Sequence, residues 1–289
     1  MANALYATEP NVKMIMENPE LLKEFSSATW CPSRMVLAAS GVDHEELVEI
    51  CKPLAEAWPA KPKDMLIDPI KSAYSGGEWK VRDDVSDSDG PVGHVFMGFG
   101  GMGGWRDDRK AVEYAVLQIL MGGGASFSAG GPGKGMCSRL YQEVLNKYAW
   151  ARECSAHVYI HNDVHVFGVY GKAEPAAMSH MVDVITSELQ AVASGKLTAE
   201  EVERAKKVTT ASVHMGLESK AVIAEDIGRQ IFTYGERKDI SECFKIIDAV
   251  TPKSIATLAA DLLKQPLTLV AAGASGRVPT YSQIERRFK

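Results

Sequence analysis

The chain has 289 residues, of which 46% are hydrophobic and 24% are charged, and its formal net charge at pH 7 is -5. These values are typical of a globular protein with one large or two modest domains, and they exclude the strongly basic surface that nucleic-acid binding requires. The sequence has no apolar run of the ~18 residues that a spanning helix needs, which predicts no direct membrane span. Its five cysteines include no C-x-x-C pair, which indicates free thiols in a reducing compartment.

The first 70 residues predict a helix, a strand and a second helix. The first helix begins at Pro19 and has a one-sided apolar pattern, and residues 34–39 form a short apolar run typical of a buried strand. Asp43 is placed to cap a helix over residues 45–58. The prolines and lysines of residues 59–69 then indicate a connector.

The rest of the chain predicts a mostly antiparallel sheet with helices packed on it, an α+β fold. A strand over residues 92–99 precedes a helix that Asp107 or Asp108 can cap. Two strands, 153–160 and 164–170, flank the turn residues 161–163 and predict a hairpin. Further helices are predicted over residues 174–193, from a Thr198/Glu201 capping box towards Met215, over 220–234 and over 241–249.

An internal repeat divides the chain. NPELLKEFSSATWCPSRMVLAASG superimposes on TPKSIATLAADLLKQPLTLVAAGA with Pro19 on Pro252, so that a helix and an apolar strand coincide in both copies. We interpret residues 1–73 as the C-terminal end of a first α+β domain plus a linker, and residues 74–289 as a complete second domain. Because a lone strand leaves its backbone groups unpaired, another polypeptide or a preceding part of a longer precursor is expected to complete residues 1–60.

A glycine-rich stretch, GGGASFSAGGPGKG over residues 122–135, separates two helical patterns. Each glycine lacks the Cβ that would keep another backbone at a distance, so an extended chain can lie close to it. A flexible connection remains the alternative. The stretch is not a Walker A phosphate loop, because Lys134 is followed by glycine rather than by Ser or Thr.

The longer run GGGASFSAGGPGKGMCSRLYQEVLNKYAW resembles the glycine-rich segment of alpha-type, non-catalytic subunits in the pitrilysin-like metallopeptidase family. That group includes processing-peptidase alpha subunits and core subunits of ubiquinol-cytochrome c reductase. Ala125 stands where the family tends to have another glycine. The resemblance implies a pitrilysin-like α+β domain in a subunit located in the mitochondrial matrix, at the inner membrane.

The residues that catalysis would need in this family are absent. The family's zinc motif is H-x-x-E-H, and none of the seven histidines has that spacing. In the second-domain signature that begins at Ser138, Leu145 stands at the Arg position and Arg152 at the Tyr position, so neither can assist at a substrate carbonyl. The resemblance therefore implies no catalytic residue and no cofactor in this chain, with zinc in a beta-type partner.

The implied role of the glycine-rich segment is to receive basic presequence peptides for that beta-type subunit. Other complex III subunits and a separate chain that completes the first domain are further expected partners. Three acids near the segment, Glu113, Glu143 and Glu153, are candidates to attract the arginines of such a peptide. The candidate substrate-binding residues are Gly122, Gly123, Gly124, Ser126, Phe127, Ser128, Gly130, Gly131, Pro132, Gly133, Lys134 and Gly135.

Three alternatives stay open at this stage. The chain could be a purely structural core subunit of the reductase. Gly98–Gly103 fits the G-x-G-x-x-G pattern of dinucleotide binding as a remote alternative, although a turn between a strand and a helix is enough to explain it. His157, His161 and His165 recur every four residues as metal ligands on a helix would, but the β-like pattern around them favours exposed histidines on a strand.

Overall fold

The computed structural model describes residues 9–30, 32–57, 71–81, 86–87, 90–125 and 136–289. By their contacts the residues form two units, which we call unit 1 (residues 1–70 and 219–237) and unit 2 (residues 71–218 and 238–289). Unit 1 therefore combines the start of the chain with a stretch from its last third. The predicted division into residues 1–73 and 74–289, with a complete second domain, stays a prediction.

The described residues form helices and strands with the following bounds. The α-helices are α1 Glu9–Glu17, α2 Glu20–Thr29, α3 His44–Ala57, α4 Asp108–Met121, α5 Met178–Ala193, α6 Ala199–Gly216, α7 Lys220–Tyr234, α8 Ile240–Asp248, α9 Pro252–Leu263 and α10 Tyr281–Glu285. The strands are β1 Gly77–Lys80, β2 Ser86–Asp87, β3 Gly90–Pro91, β4 Gly93–Met102, β5 Gly123–Ala125, β6 Ala151–Ile160, β7 Val164–Ala173 and β8 Leu267–Gly273.

One large sheet organises unit 2, with its strands in the order β1-β8-β4-β7-β6-β5. All neighbours are antiparallel except β1 and β8, which run parallel. Along β4 the alternating residues Val95, Met97 and Phe99 are buried, as the period of a strand with one covered face requires. Helices α4, α5 and α9 pack against the sheet and against one another, which confirms the predicted α+β fold with helices on a mostly antiparallel sheet.

Local signals set the ends of the elements. The Asp107 side chain accepts a hydrogen bond from the Lys110 N–H at 3.2 Å and so caps α4. Thr198 and Glu201 form the predicted capping box at the start of α6. The predicted hairpin is present as β6 and β7, closed by the His161 N–H donating to the Val164 carbonyl. These features depend on neighbours in sequence, and all of them were predictable from sequence.

The other face of the sheet carries aromatic rings laid over glycines. A Cβ built on Gly98 or on Gly168 would lie 2.6 or 2.4 Å from the Phe96 ring. The same atom on Gly100 would lie 2.4 Å from the ring of Tyr74. These strand glycines therefore make room for side chains that cross the sheet surface.

Unit 1 contains α1, α2, α3 and α7, and none of its described residues is buried. Helix α7 lies beside residues 38–41, since a Cβ on Gly228 would be 3.6 Å from Ala38 and one on Gly41 would be 2.7 Å from Nζ of Lys220. The predicted strand at 34–39 is wrong for this structure. A 3-10 turn covers Pro32–Arg34, and residues 35–39 form no strand because no described strand of unit 1 pairs with them.

Candidate functional site

The first residue of the glycine-rich segment contacts a residue that follows the segment, and we call this place the segment base (Gly122, Ser138 and Arg139). Helix α4 ends where the Gly122 N–H donates to the Gln118 carbonyl at 2.7 Å, and Gly122 has a φ of +55°. A Cβ on Gly122 would lie 2.3 Å from Cβ of Ser138. The chain therefore leaves and returns through the same place, which requires glycine at position 122 for both its dihedral angle and its size.

The first residues of the segment join the sheet. Gly123–Ala125 form β5, the edge strand that pairs antiparallel with β6, and the Gly122 carbonyl accepts a hydrogen bond from the Ala156 N–H at 2.8 Å. Gly122, Gly123 and Gly124 are thus placed by the structure. The other predicted binding residues, Ser126, Phe127, Ser128, Gly130, Gly131, Pro132, Gly133, Lys134 and Gly135, lie outside the described residues.

Arg139 anchors the return of the segment to two helices. Its Nε lies 2.7 Å from Oε2 of Glu188 on α5, and its Nη1 lies 3.2 Å from Oε1 of Glu201 on α6. Nη1 also donates to the Lys196 carbonyl at 3.0 Å. With only 12% of the Arg139 side chain exposed, these charge-assisted bonds are shielded from water and hold the backbone after the segment in place.

The sequence did not predict this anchor. Its partners are 49 and 62 residues away, so no local pattern reveals them. The one signal available was Glu201, which the capping box identified. The structure shows that the same carboxylate both caps α6 and binds Arg139.

The three acids predicted to attract a basic peptide lie on three different elements. Glu113 on α4 is 7% exposed and accepts a bond from Nε of Arg109 at 3.2 Å. Glu143 lies in a π-helical turn, Tyr141–Leu145, and forms an ion pair with Lys147. Glu153 on β6 is paired in register with Ala125 of β5, so it is the acid that lies beside the start of the segment.

The three evenly spaced histidines do not converge. His157 lies on the face of β6 opposite the buried Cys154 and Ala156, where Nε2 is 2.9 Å from the Ser155 hydroxyl, and His161 lies in the hairpin turn. His165 is only 3% exposed, so the expectation of an exposed strand histidine is wrong there. It occupies a core-facing position of β7 against the ring of Tyr114, with ring centroids 4.1 Å apart.

Burial, together with the positive charge of Lys110, lowers the pKa of His165 to about 4, so the imidazole is neutral near pH 7. Its Nε2 has no hydrogen-bond partner among the described residues. Within the same residues, no group of three or more His, Cys, Asp or Glu side chains is placed to hold a metal ion.

The Gly98–Gly103 stretch is not a dinucleotide site. Gly98, Gly100 and Gly101 lie inside β4, which pairs antiparallel with both β7 and β8. The helix that follows leads to β5, which is antiparallel to β6, so the strand-helix-strand unit with parallel strands that a dinucleotide fold requires is not formed. The dinucleotide alternative is therefore wrong for this stretch.

Comparison with known proteins identifies relatives of this chain. Residues 17–209 match the family described as "Peptidase M16 inactive domain". Over 289 residues the chain is 42% identical to the probable mitochondrial-processing peptidase subunit alpha-1 of Arabidopsis thaliana, covering 100% of this chain and 55% of that protein. It is 40% identical to the mitochondrial-processing peptidase subunit alpha of Solanum tuberosum and 34% identical to that of Homo sapiens, covering 55% and 54% of those proteins. The chain thus spans about half the length of these relatives.

A solved structure shows the same fold. A chain in complex III2 from Candida albicans with Inz-5 bound superimposes with a TM-score of 0.70 at 17% identity, over 86% of this chain and 56% of that one. The described helices include none that is long and apolar enough to cross a membrane.

Proposed function

This chain belongs to the peptidase M16 family, in the part of it described as the inactive domain, and from that premise we propose that it is a non-catalytic, alpha-type subunit of a mitochondrial processing peptidase. In this role its glycine-rich segment receives targeting presequences, and a zinc-bearing beta-type subunit cleaves them. The observation that carries the proposal is the match to alpha subunits along the whole chain, which includes the glycine-rich segment.

The segment base suits a peptide-receiving role. The Gly122–Ser138 contact and the bonds of Arg139 fix both ends of the segment to α4, α5, α6 and β6. Backbone amides and carbonyls of glycine can meet an extended peptide without selecting its side chains, which suits presequences of variable sequence. Glu153, beside β5, supplies a carboxylate for a basic peptide.

The chemical step belongs to the partner. Activation of water in this family needs the zinc of an H-x-x-E-H motif, which the 289 residues do not contain. Leu145, at the signature position of an arginine, packs against the core of unit 2 and has no donor for a developing oxyanion. A missing donor of this kind commonly costs about 3 kcal/mol of transition-state stabilisation.

A deletion of Gly130–Gly135 tests the peptide-binding role. In the purified complex with the beta-type subunit, we expect the Kd for a fluorescent presequence peptide to rise at least tenfold, because the glycine backbone that meets the peptide is removed. Pairing with the beta-type subunit should be unchanged by size-exclusion chromatography. The matched control is Lys253→Gln, at an exposed position of α9 outside the segment, which should leave the Kd within about twofold. Unchanged affinity in the deletion variant would reject the role.

A second candidate is a core subunit of complex III at the matrix face of the inner membrane, purely structural or in addition to the peptidase role. The fold it shares with a chain of the Candida albicans complex favours it. Mass spectrometry after purification in mild detergent distinguishes the cases. Cytochrome subunits together with a beta-type subunit would support complex III, whereas a beta-type subunit alone would support a separate peptidase.

A further inference from the structure

One face of the large sheet of unit 2 carries a row of side chains that crosses its strands. Phe96 of β4 is in register with Tyr170 of β7 on one side and with Val270 of β8 on the other. The register continues the row to Trp79 on the edge strand β1 and to Ser155 on β6. We call these five residues the aromatic row. Residues in register lie side by side on the same face of a sheet, so the row forms one continuous surface.

The aromatic row lies on the face of the sheet opposite the core. Along β8 the residues on either side of Val270, Leu269 and Ala271, are buried, whereas Val270 itself is partly exposed. Trp79, at one end of the row, is 60% exposed. The row therefore presents apolar side chains away from the core of unit 2, where another chain can contact them.

Two of the rings are held in place by their surroundings in the sheet. The ring of Phe96 lies over Gly98 and Gly168, where an added Cβ would be 2.6 and 2.4 Å from it. The Tyr170 hydroxyl lies 2.7 Å from Nδ1 of His94. Side chains that are already fixed lose little conformational freedom when a ligand binds, so the row is a preformed surface.

The row ends at the glycine-rich segment. Ser155 is in register with Gly123, the first residue of β5. Neighbouring strands lie about 4.8 Å apart, so the six strands of the sheet from β1 to β5 span roughly 24 Å. An extended peptide rises about 3.3 Å per residue and covers that distance with roughly seven residues. A peptide bound at the segment can therefore continue across the sheet to Trp79.

The row is narrow and has charged, polar or glycine neighbours. On one side lie His94, Lys172 and Glu153, and on the other side lie Gly98 and Gly168. Lys172 and Glu153 are in register, so their opposite charges lie side by side and add no net charge at the border. A strip one residue wide on each strand fits a single extended chain, whereas a stable subunit interface needs a patch of about 800 Å². Apolar contact with a peptide is therefore the interaction that the row offers.

We propose that the aromatic row binds apolar side chains of the presequence peptide that the glycine-rich segment receives. The inference rests on the proposed function and extends it to the choice of substrate. The segment contacts the peptide backbone, which every sequence provides, whereas the row distinguishes apolar from polar side chains. The two surfaces together hold one extended peptide, because Ser155 of the row and Gly123 of the segment are neighbours in the sheet.

Trp79→Ala tests the inference in the purified complex with the beta-type subunit. We expect the Kd for a fluorescent presequence peptide to rise at least fivefold, because the most exposed ring of the row is removed. The variant should fold normally, since Trp79 is 60% exposed and lies on an edge strand. The matched control is Met215→Ala, which removes a 62% exposed apolar side chain from α6 and should leave the Kd within about twofold.

A second peptide separates contact with the row from a general loss of binding. Replacing the apolar residues of the peptide with serine should weaken its binding to the wild-type complex. The same replacement should have little further effect in Trp79→Ala, because the two changes remove the same contact. The factor by which Trp79→Ala raises the Kd should be the same at about 50 mM and about 500 mM NaCl, since apolar contact is not screened by salt.

An unchanged Kd for Trp79→Ala would overturn the inference, as would additive losses for the variant and the serine peptide. The proposed function is tested separately by the deletion of Gly130–Gly135. If the deletion raises the Kd and Trp79→Ala does not, the segment receives the peptide without the row. If neither change alters the Kd, both proposals are wrong.

Photocrosslinking gives an independent measurement in the same complex. A benzophenone amino acid at position 79 should crosslink to the presequence peptide, and the same group at position 215 should give less than a tenth of that product. A crosslink from position 79 to the beta-type subunit alone would mean that the partner covers the row, and this result would overturn the inference.

Discussion

His165 is a titratable group that the fold keeps neutral. Its neighbours are the ring of Tyr114 on one side and the backbone of Gly101 on the other, where a Cβ would lie 2.8 Å from Nε2. A charged imidazole at this position would lose its hydration without gaining an acidic partner in contact. The sequence predicted the β pattern around His165 but treated the three histidines as exposed, whereas the alternation along β7 places His165 on the core-facing side.

Because of this burial, the free energy of unfolding should depend on pH through His165. The pKa of His165 is about 4 in the folded protein, against 6.5 for the ordinary side chain. The contribution of the neutral His165 imidazole to the free energy of unfolding is therefore fully present above pH 6.5. It is lost as pH falls towards 4, because only the unfolded chain takes up the proton. The expected loss is on the order of 3 kcal/mol.

Urea unfolding from pH 7 to pH 4 measures this loss as the difference between wild type and His165→Leu. Phe167→Leu is the matched control, since it lies on the same face of β7 and removes no titratable group. Its difference from wild type should stay constant over the same range. A constant difference for His165→Leu as well would show that the imidazole is not buried as described.

At the scale of elements, the segment base is built from distant parts of the chain. Asp107 and the Thr198/Glu201 box begin α4 and α6 through contacts within four residues, and sequence predicted both. The contact of Gly122 with Ser138 and the bonds of Arg139 to α5 and α6 were not predictable, because they form only when the sheet brings the helices together. The missing strand at 34–39 has the same origin, since a strand requires a partner.

Gly122→Ala should destabilise the protein through the segment base. The variant adds a Cβ at a φ of +55° and within 2.3 Å of Ser138, so both backbone strain and a steric clash oppose it. The matched control is Gly195→Ala, where φ is +78° and the nearest atom, Cβ of Ala256, is 3.9 Å away. We expect the free energy of unfolding, measured with urea, to fall by about 1 kcal/mol in the control and by at least twice that in Gly122→Ala. Equal losses would mean that the two ends of the segment are not in contact.

At the scale of the whole molecule, sequence predicted helices α2 to α9, the hairpin and the class of unit 2 because their patterns are continuous along the chain, but it did not predict α1 or α10. It did not predict that residues 219–237 join residues 1–70 in unit 1. The amphipathic pattern of α7 identifies a helix but does not say which surface its apolar side meets. That information lies in the contacts of Gly41 with Lys220 and of Gly228 with Ala38, which cross most of the sequence.

This division of unit 1 has a consequence for synthesis on the ribosome. Helix α7, the companion of α2 and α3 in unit 1, emerges roughly 160 residues after them. At about 5–20 residues/s, that interval is on the order of ten seconds or more. Helices α2 and α3 therefore wait for α7 until strands β1 to β7 have already been made.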